Sequence, residues 1–241
     1  MDNEINKQNL NGVIMKLMKT MLLVTTSFFL CTGFFGDDDY NFKSSKSQGV
    51  GPLKVDLPYV KYEKYFGYVD TSVKPEGKYK DKDAYYLYMW VPAAIDELGV
   101  SMVSPAKDKP GKKDFVHSFF KKGMKKDKKA YFDTYLVLDK LDIIDPKKID
   151  KGGKVVKTLK TNDDSSELPK NPGGRKYNSV LRHESEINSP TKALVRGVYR
   201  ISFTSFRGKV NGSYMATIGS NIPGIKVASS LTKLNELVNK L

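Results

Sequence analysis

The single cysteine of this 241-residue chain is one of its few residues with the type and setting that chemistry needs. Lys16 and Lys19 precede an apolar run from Met21 to Leu30, and the run ends on Cys31. A basic start, a short apolar stretch and then a boundary form the layout of an export signal. Thr25, Thr26 and Ser27 interrupt the stretch Met21–Phe35. It is shorter than the roughly 20 apolar residues that cross a bilayer, so a cleaved signal is expected rather than a span. A cysteine at that boundary is where a bacterial lipoprotein is acylated, which makes Cys31 the expected lipid attachment site. Phe28, Phe29 and Leu30 stand just before it, where small residues are usual. Met15 is the alternative start, since it gives a signal of conventional length. With Cys31 used as an anchor, no thiol is left for a disulfide. The exported domain must then be held by its core or by a metal.

Other reactive constellations do not assemble. The two histidines, His117 and His183, lie far apart and outside any zinc-binding spacing. His183-Glu184 lacks the second histidine of a metalloprotease helix. Gly152-Gly153-Lys154 lacks the spacing of a phosphate-cradling loop and reads as a turn. No dinucleotide fingerprint or Gly-x-Ser-x-Gly elbow is present. Both histidines read as surface or loop residues. No acid, base and nucleophile converge, so the chain is not expected to be an enzyme.

Charge is the other chemical signal. The formal net charge is +14, and the segment Ala106–Lys129 holds ten lysines against three aspartates. Half of the net charge thus sits in one short stretch. Such a stretch attracts polyanions at long range. An exported protein rarely meets its own DNA, so specific nucleic-acid recognition is not expected. Anionic polysaccharide or another acidic surface is the partner class that fits. Phe115, Phe119 and Phe120 are the expected pins that hold the middle of the segment to the domain.

Elements must position these groups. Residues 1–30 form the expected signal and residues 31–52 a flexible tether, rich in glycine, serine and aspartate. Residues 53–241 are long enough for one large domain with a real core. Fourteen tyrosines and twelve phenylalanines against one tryptophan favour strands with half-buried aromatic faces. Tyr65–Val69, Tyr85–Val91 and Tyr131–Leu138 read as strands. Pro92–Leu98 reads as a helix capped by Gly99, and Phe115–Lys122 as a helix capped by Asp114 and ended by Gly123. In the late stretch Tyr199, Ile201 and Phe203 face one way, while Arg200, Ser202 and Thr204 face the other. Tyr214, Ala216 and Ile218 repeat that alternation. With turn residues between, 198–218 is expected to form a β-hairpin. Leu231, Leu234, Leu237, Val238 and Leu241 share one face of a C-terminal amphipathic helix. The sum is a mainly β, antiparallel β-sandwich with short helices in its connections.

The motifs, in order, carry a family resemblance. They are Leu57-Pro58-Tyr59, Tyr65-Phe66-Gly67-Tyr68-Val69, Ala84-Tyr85-Tyr86-Leu87-Tyr88, Trp90-Val91-Pro92, Glu97-Leu98-Gly99-Val100 and Ser104-Pro105. Phe132-Asp133-Thr134, Lys176-Tyr177-Asn178-Ser179 and the long run Leu194–Thr204 follow. In this order and near this spacing they resemble the family of the major outer-membrane lipoprotein of pathogenic Leptospira. The resemblance covers roughly Leu53 to Gly224. It implies a jelly-roll-like sandwich similar to domains of Gram-positive collagen adhesins. It also implies a lipid-anchored, non-enzymatic protein of the outer membrane and cell surface, which binds Ca2+ and extracellular matrix proteins. The family's calcium site carries over onto Asp133, Thr134, Asp163, Asp164 and Tyr177. Three carboxylates, a hydroxyl or carbonyl from Thr134 and the Tyr177 carbonyl suit a cation that takes six to eight oxygens. This chain departs from the family in a shortened acidic run at Asp163-Asp164, a strongly basic balance and a shorter C-terminal tail.

Overall fold

A computed structural model describes residues 42–106 and 109–240. The expected signal segment, Cys31 and the start of the expected tether lie outside the described residues, as do Lys107 and Asp108 of the basic segment and Leu241 of the expected helix. The apolar-aromatic runs form strands because branched and aromatic side chains fit a pleated surface buried on one or both faces. One sheet joins Lys61–Val69 (β3), Glu97–Val103 (β6), Phe115–Val116 (β7), Ser179–Glu184 (β10) and Gly212–Ser220 (β12) in the order β10-β6-β12-β3-β7. The facing sheet is built from Lys82–Val91 (β5), Thr134–Leu141 (β8), Val155–Asn162 (β9), Gly197–Ser205 (β11) and Lys226–Ala228 (β13). Its order is β13-β5-β11-β8-β9, with Gly77–Tyr79 (β4) pairing β5. Pairing is antiparallel except for β7, which lies parallel to β3. The chain changes sheet at most connections, as in double-sheet jelly rolls. The result is a mainly β, sandwich-like domain with short helices.

The interior lies between the sheets. Leu87, Met89, Leu136, Leu138, Tyr199, Ile201 and Phe203 meet Leu98, Val100, Tyr214, Ala216 and Ile218 there. The predicted alternation on 198–218 therefore holds as a statement about faces. The predicted hairpin does not form. β11 bonds to β5 and β8 in one sheet, and β12 bonds to β3 and β6 in the other. Turn residues at 207–212 carry the chain across the sandwich, and the Phe203 and Tyr214 rings meet with centroids 4.7 Å apart. Period-two alternation reports which face is buried; it does not report which strand is the partner. The other face of β11 is covered rather than open. Arg200 is half-buried and Ser202 and Thr204 are buried. The Arg200 guanidinium sits 2.9 Å from the Asp139 carboxylate and over the Tyr86 ring.

Of the two short helices expected in the connections, one does not form and the other is displaced. Pro92–Leu98 is not helical. Residues 92–96 form a loop whose Ile95 N–H donates to the Leu194 carbonyl at 3.0 Å, and Glu97 opens β6. Gly99 lies mid-strand opposite Gly219, and a Cβ on either would overlap the Tyr59 ring. The glycine there makes room for an aromatic residue and caps nothing. Asp114 accepts from Gly111 N at 2.7 Å within a turn, and Phe115-Val116 are strand β7. The helix runs over Phe120–Lys126 (α1), with Gly123 inside it, packed on the Tyr68 ring. Phe120 is buried, but Phe119 is 49% exposed and pins nothing. The C-terminal helix does form, over Leu231–Asn239 (α2), with the Ser230 hydroxyl accepting from Lys233 N at 3.2 Å. Its Leu234 packs against Trp90, Ile149 and Val198. His183, expected on the surface, is buried in β10 with Nε2 2.8 Å from the Lys192 carbonyl.

Ordered packing starts before the expected boundary at residue 53. Phe42 is buried against Tyr59 and Tyr62. Ser47–Gln48 (β1) pairs with Val55–Asp56 (β2). Small polar residues in 43–49 read as a tether, but Phe42 and Ser45 have partners far along the chain that composition does not reveal.

Candidate functional site

The resemblance-derived residues gather where the start of β8 meets the end of β9 and the loop before β10. Phe132 is anchored in the core, and the next residue, Asp133, is carried into the interior with it. Asp133 is 4% exposed, and its backbone carbonyl accepts from Phe206 N at 2.8 Å. Neither carboxylate oxygen has a hydrogen-bond partner. The nearby cation is Arg207, with Nε 3.8 Å from Oδ2. Burial pushes the Asp133 carboxyl up to about 6. Asp164 and Asp163 push the same way, and Arg207 and Lys82 oppose them. A buried carboxylate that accepts no hydrogen bond and has its counter-ion 3.8 Å away is costly, so the site favours a proton or a closer cation there.

Asp163 is half-buried and follows directly on β9, and Asp164 is exposed beside it. Asp164 N donates to Asp163 Oδ1 at 2.9 Å. The Asp164 carboxyl is raised by burial and by Asp163, against Arg207. Thr134 is buried. Its N–H and hydroxyl both donate to the Tyr177 carbonyl, at 3.0 and 3.2 Å. Ser179 Oγ lies 2.5 Å from the Thr134 carbonyl, 2.6 Å from the Asp163 carbonyl and 2.7 Å from Thr134 Oγ1. A serine hydroxyl has one proton for three oxygens, so this corner is rich in acceptors and poor in donors. The Tyr177 hydroxyl accepts from Arg175 and Arg207, each at 2.6 Å.

The structure thus brings Asp133, Thr134, Asp163, Asp164 and Tyr177 into one neighbourhood but gives them different jobs. Asp133 has two idle acceptor oxygens. The Tyr177 carbonyl and Thr134 hydroxyl already satisfy each other. Among the described residues no three acidic, histidine or cysteine side chains converge on a preformed metal cage. The donor set suits a hard, oxygen-seeking cation in charge and atom type. Two further residues of the corner carry no role that their sequence setting reveals. Ser179 sits in the Lys176–Ser179 motif and is legible only as part of it. Arg207 reads as turn chemistry, and nothing local marks it as the counter-ion of a residue 74 positions earlier.

The second chemical feature lies elsewhere. Every described lysine between 109 and 129 is exposed. Asp114 and Asp127 are occupied by backbone amides, with Asp127 accepting from Lys129 N at 2.9 Å and Ala130 N at 3.0 Å. The segment is therefore a projecting basic surface.

No helix among the described residues is long and apolar enough to cross a membrane. Among curated proteins no sequence matches the chain. The model of the family Lipl32, described as surface lipoprotein of Spirochaetales order, matches residues 53–227, from before β3 into β13. The motif order from Leu57 to Thr204, the sandwich those motifs build and this match all agree: the chain belongs to the Lipl32 family of surface lipoproteins of the order Spirochaetales.

Proposed function

We propose that this protein is a lipid-anchored, non-enzymatic protein of the outer-membrane surface that holds a calcium ion at Asp133 and adheres to extracellular matrix or other external ligands. Cys31 would carry the lipid. The observation that supports calcium binding is the pair of buried Asp133 oxygens that accept no hydrogen bond, beside two further carboxylates. Asp133 with Asp163 or Asp164 would supply the charge, and oxygens of Thr134 and Tyr177 would complete the shell on giving up their mutual bonds. A bound calcium would neutralise the buried carboxylate and tie the start of β8 to the loop before β10. Arg207 would have to give way. Its competition and the short acidic run favour weak affinity, on the order of 10⁻⁴–10⁻³ M as in extracellular modules.

A ligand that binds only the folded state raises apparent stability. The melting temperature should therefore rise with millimolar calcium, not with equal magnesium, and the rise should vanish in Asp133→Asn. An equal calcium response in that variant would remove the site. Adhesion draws its support from the family and is tested by retention on immobilised matrix proteins.

A second reading treats the protein as a polyanion-binding surface acting through residues 106–129. The exposure of every described lysine in the segment favours it. Retention on heparin that collapses at roughly 0.5 M salt would support it, because screening is then strong.

A further inference from the structure

The basic surface carries an apolar group that electrostatics alone does not explain. Phe119 is 49% exposed and Val116 39% exposed, inside the same lysine-rich segment. The Phe119 ring rests on His117, with centroids 5.2 Å apart. The packing of α1 fixes this arrangement. Phe120 meets Phe66, and Gly123 lies flat on Tyr68. With that face held down, Phe119, Lys122 and Lys126 rim a cleft of about 230 Å³ floored by Tyr68 and Gly123. Asp70 lines it too and pairs with Lys126 at 3.2 Å. Lys121, Lys125, Lys128 and Lys129 stand exposed on the same segment. Lys233 of α2 extends the positive field, being close enough to lower the basicity of His117, which burial lowers first.

We propose that this face docks on an anionic phospholipid bilayer, with Phe119 entering the headgroup layer and the lysines around it contacting phosphate groups. The proposal rests on the polyanion-binding reading of the segment and narrows it to one partner. A soluble polyanion would engage the lysines but offer the Phe119 ring no apolar phase. A bilayer interface accepts both, because aromatic rings partition into the headgroup region while basic side chains meet the negative surface potential. Exposed apolar side chains set among lysines are the pattern of proteins that lie on membranes rather than span them. Lysine ammonium groups suit such loose, many-partnered contact.

The test uses the full chain in a Cys31→Ser background, so that no acyl group contributes and the N-terminal segment is common to every variant. Binding is read by co-sedimentation with neutral phosphatidylcholine vesicles, with vesicles holding roughly 30% phosphatidylglycerol, and by retention on heparin. Lys121, Lys122, Lys125 and Lys126 changed together to Gln should weaken binding to anionic vesicles by about tenfold or more. Phe119→Ser should weaken vesicle binding several-fold and leave heparin retention unchanged. Phe119→Trp should shift its emission to the blue on anionic vesicles but not on heparin, against a constant background from the buried Trp90. Heparin binding with no effect of Phe119→Ser on vesicles would overturn membrane docking and leave the polyanion reading standing. Failure to bind either probe would overturn both.

Discussion

Arg207 Nε stands 3.8 Å from Asp133 Oδ2, and neither oxygen of that buried carboxylate has a hydrogen-bond partner. The pair is too long to be a hydrogen-bonded bridge. The arginine directs a donor instead to the Tyr177 hydroxyl, 2.6 Å away. The corner is therefore charged but unsatisfied, which gives it testable behaviour.

The first consequence is a pH dependence. Asp133 is raised from 3.8 to about 6 by burial, then by Asp164 and Asp163. A folded carboxyl above its unfolded value binds protons more tightly in the folded state. The stability that Asp133 contributes should therefore fall as pH rises from about 4 to about 6 and then level off, the reverse of the usual paired carboxylate. The distance between the folded and unfolded values sets an upper size of about 3 kcal/mol for the fall. Chemical denaturation in chelator at pH 4.5 and pH 7.5 measures it. Asp133→Asn should make the profile less steep across that window, leaving the share of Asp164, Glu63 and Glu76; an unchanged slope would mean that another group is responsible.

Arg207 should act as a competitor for any cation at Asp133. Arg207→Gln removes the nearby positive charge and should tighten calcium binding several-fold by titration calorimetry. Without calcium, the same variant should be less stable above pH 6 than the parent, because the ionised Asp133 loses its strongest opposing neighbour. The two effects have opposite signs, and a loss of calcium affinity would show that Arg207 supports the site rather than obstructs it.

The layers of this fold are legible in the residues, and the wiring is not. Tyr199, Ile201 and Phe203 announce a buried face through their alternation, and Leu234 announces one through its helical spacing. The partners of β11 and β12 stay hidden, because alternation looks the same in a hairpin and in a crossing between sheets. Gly99 and Gly123 read as helix punctuation in the sequence. Each instead makes room for an aromatic ring brought from a distant part of the chain, Tyr59 in one case and Tyr68 in the other. The candidate site follows the same rule. Asp133 and Tyr177 are recognisable through their motifs. The Arg207 contact joins a strand end to a turn across the fold, and residue type alone carries no record of it.

The interior position of Phe203 sets the cost of removing it. Its ring is 1% exposed and meets Tyr85, Phe132 and Tyr214. Phe203→Ala leaves a cavity where the two sheets approach and should cost roughly 3–5 kcal/mol in denaturant unfolding. Arg200→Ala acts on the covered outer face of the same strand and should cost less, because Arg200 is only half-buried. It would still remove the cation beside the buried Asp139 carboxylate, which keeps the Thr158 hydroxyl at 2.7 Å. Equal effects of the two substitutions would contradict the assignment of the two faces.

Glu97 is the buried carboxylate among the groups that hold the start of the domain, beside Glu184 on the Ser45 hydroxyl and Arg182 on the Lys43 carbonyl. Glu97 is 2% exposed and accepts from the Tyr59 hydroxyl, from Ser45 N at 3.1 Å and from the Ser45 hydroxyl. Phe42 fills the adjoining space above Gly99, with the Arg182 guanidinium over its ring. A strap running from Phe42 to Gln48 is thereby fastened to β6 through a residue that lies at a strand's first position. Burial and Glu97 also hold the Tyr59 phenol well above its usual range, so this latch stays protonated on the tyrosine side as pH rises. Glu97→Ala removes the acceptor for both segments, and hydrogen bonds to a charged group are worth about 1.5–3 kcal/mol each. Trypsin should then cut at Lys43 or Lys46 well before the sandwich unfolds, while Glu97→Gln, which keeps an acceptor oxygen, should cut more slowly. If Glu97→Ala loses global stability with no early cleavage in the strap, the carboxylate serves the sheet rather than the segment that precedes it.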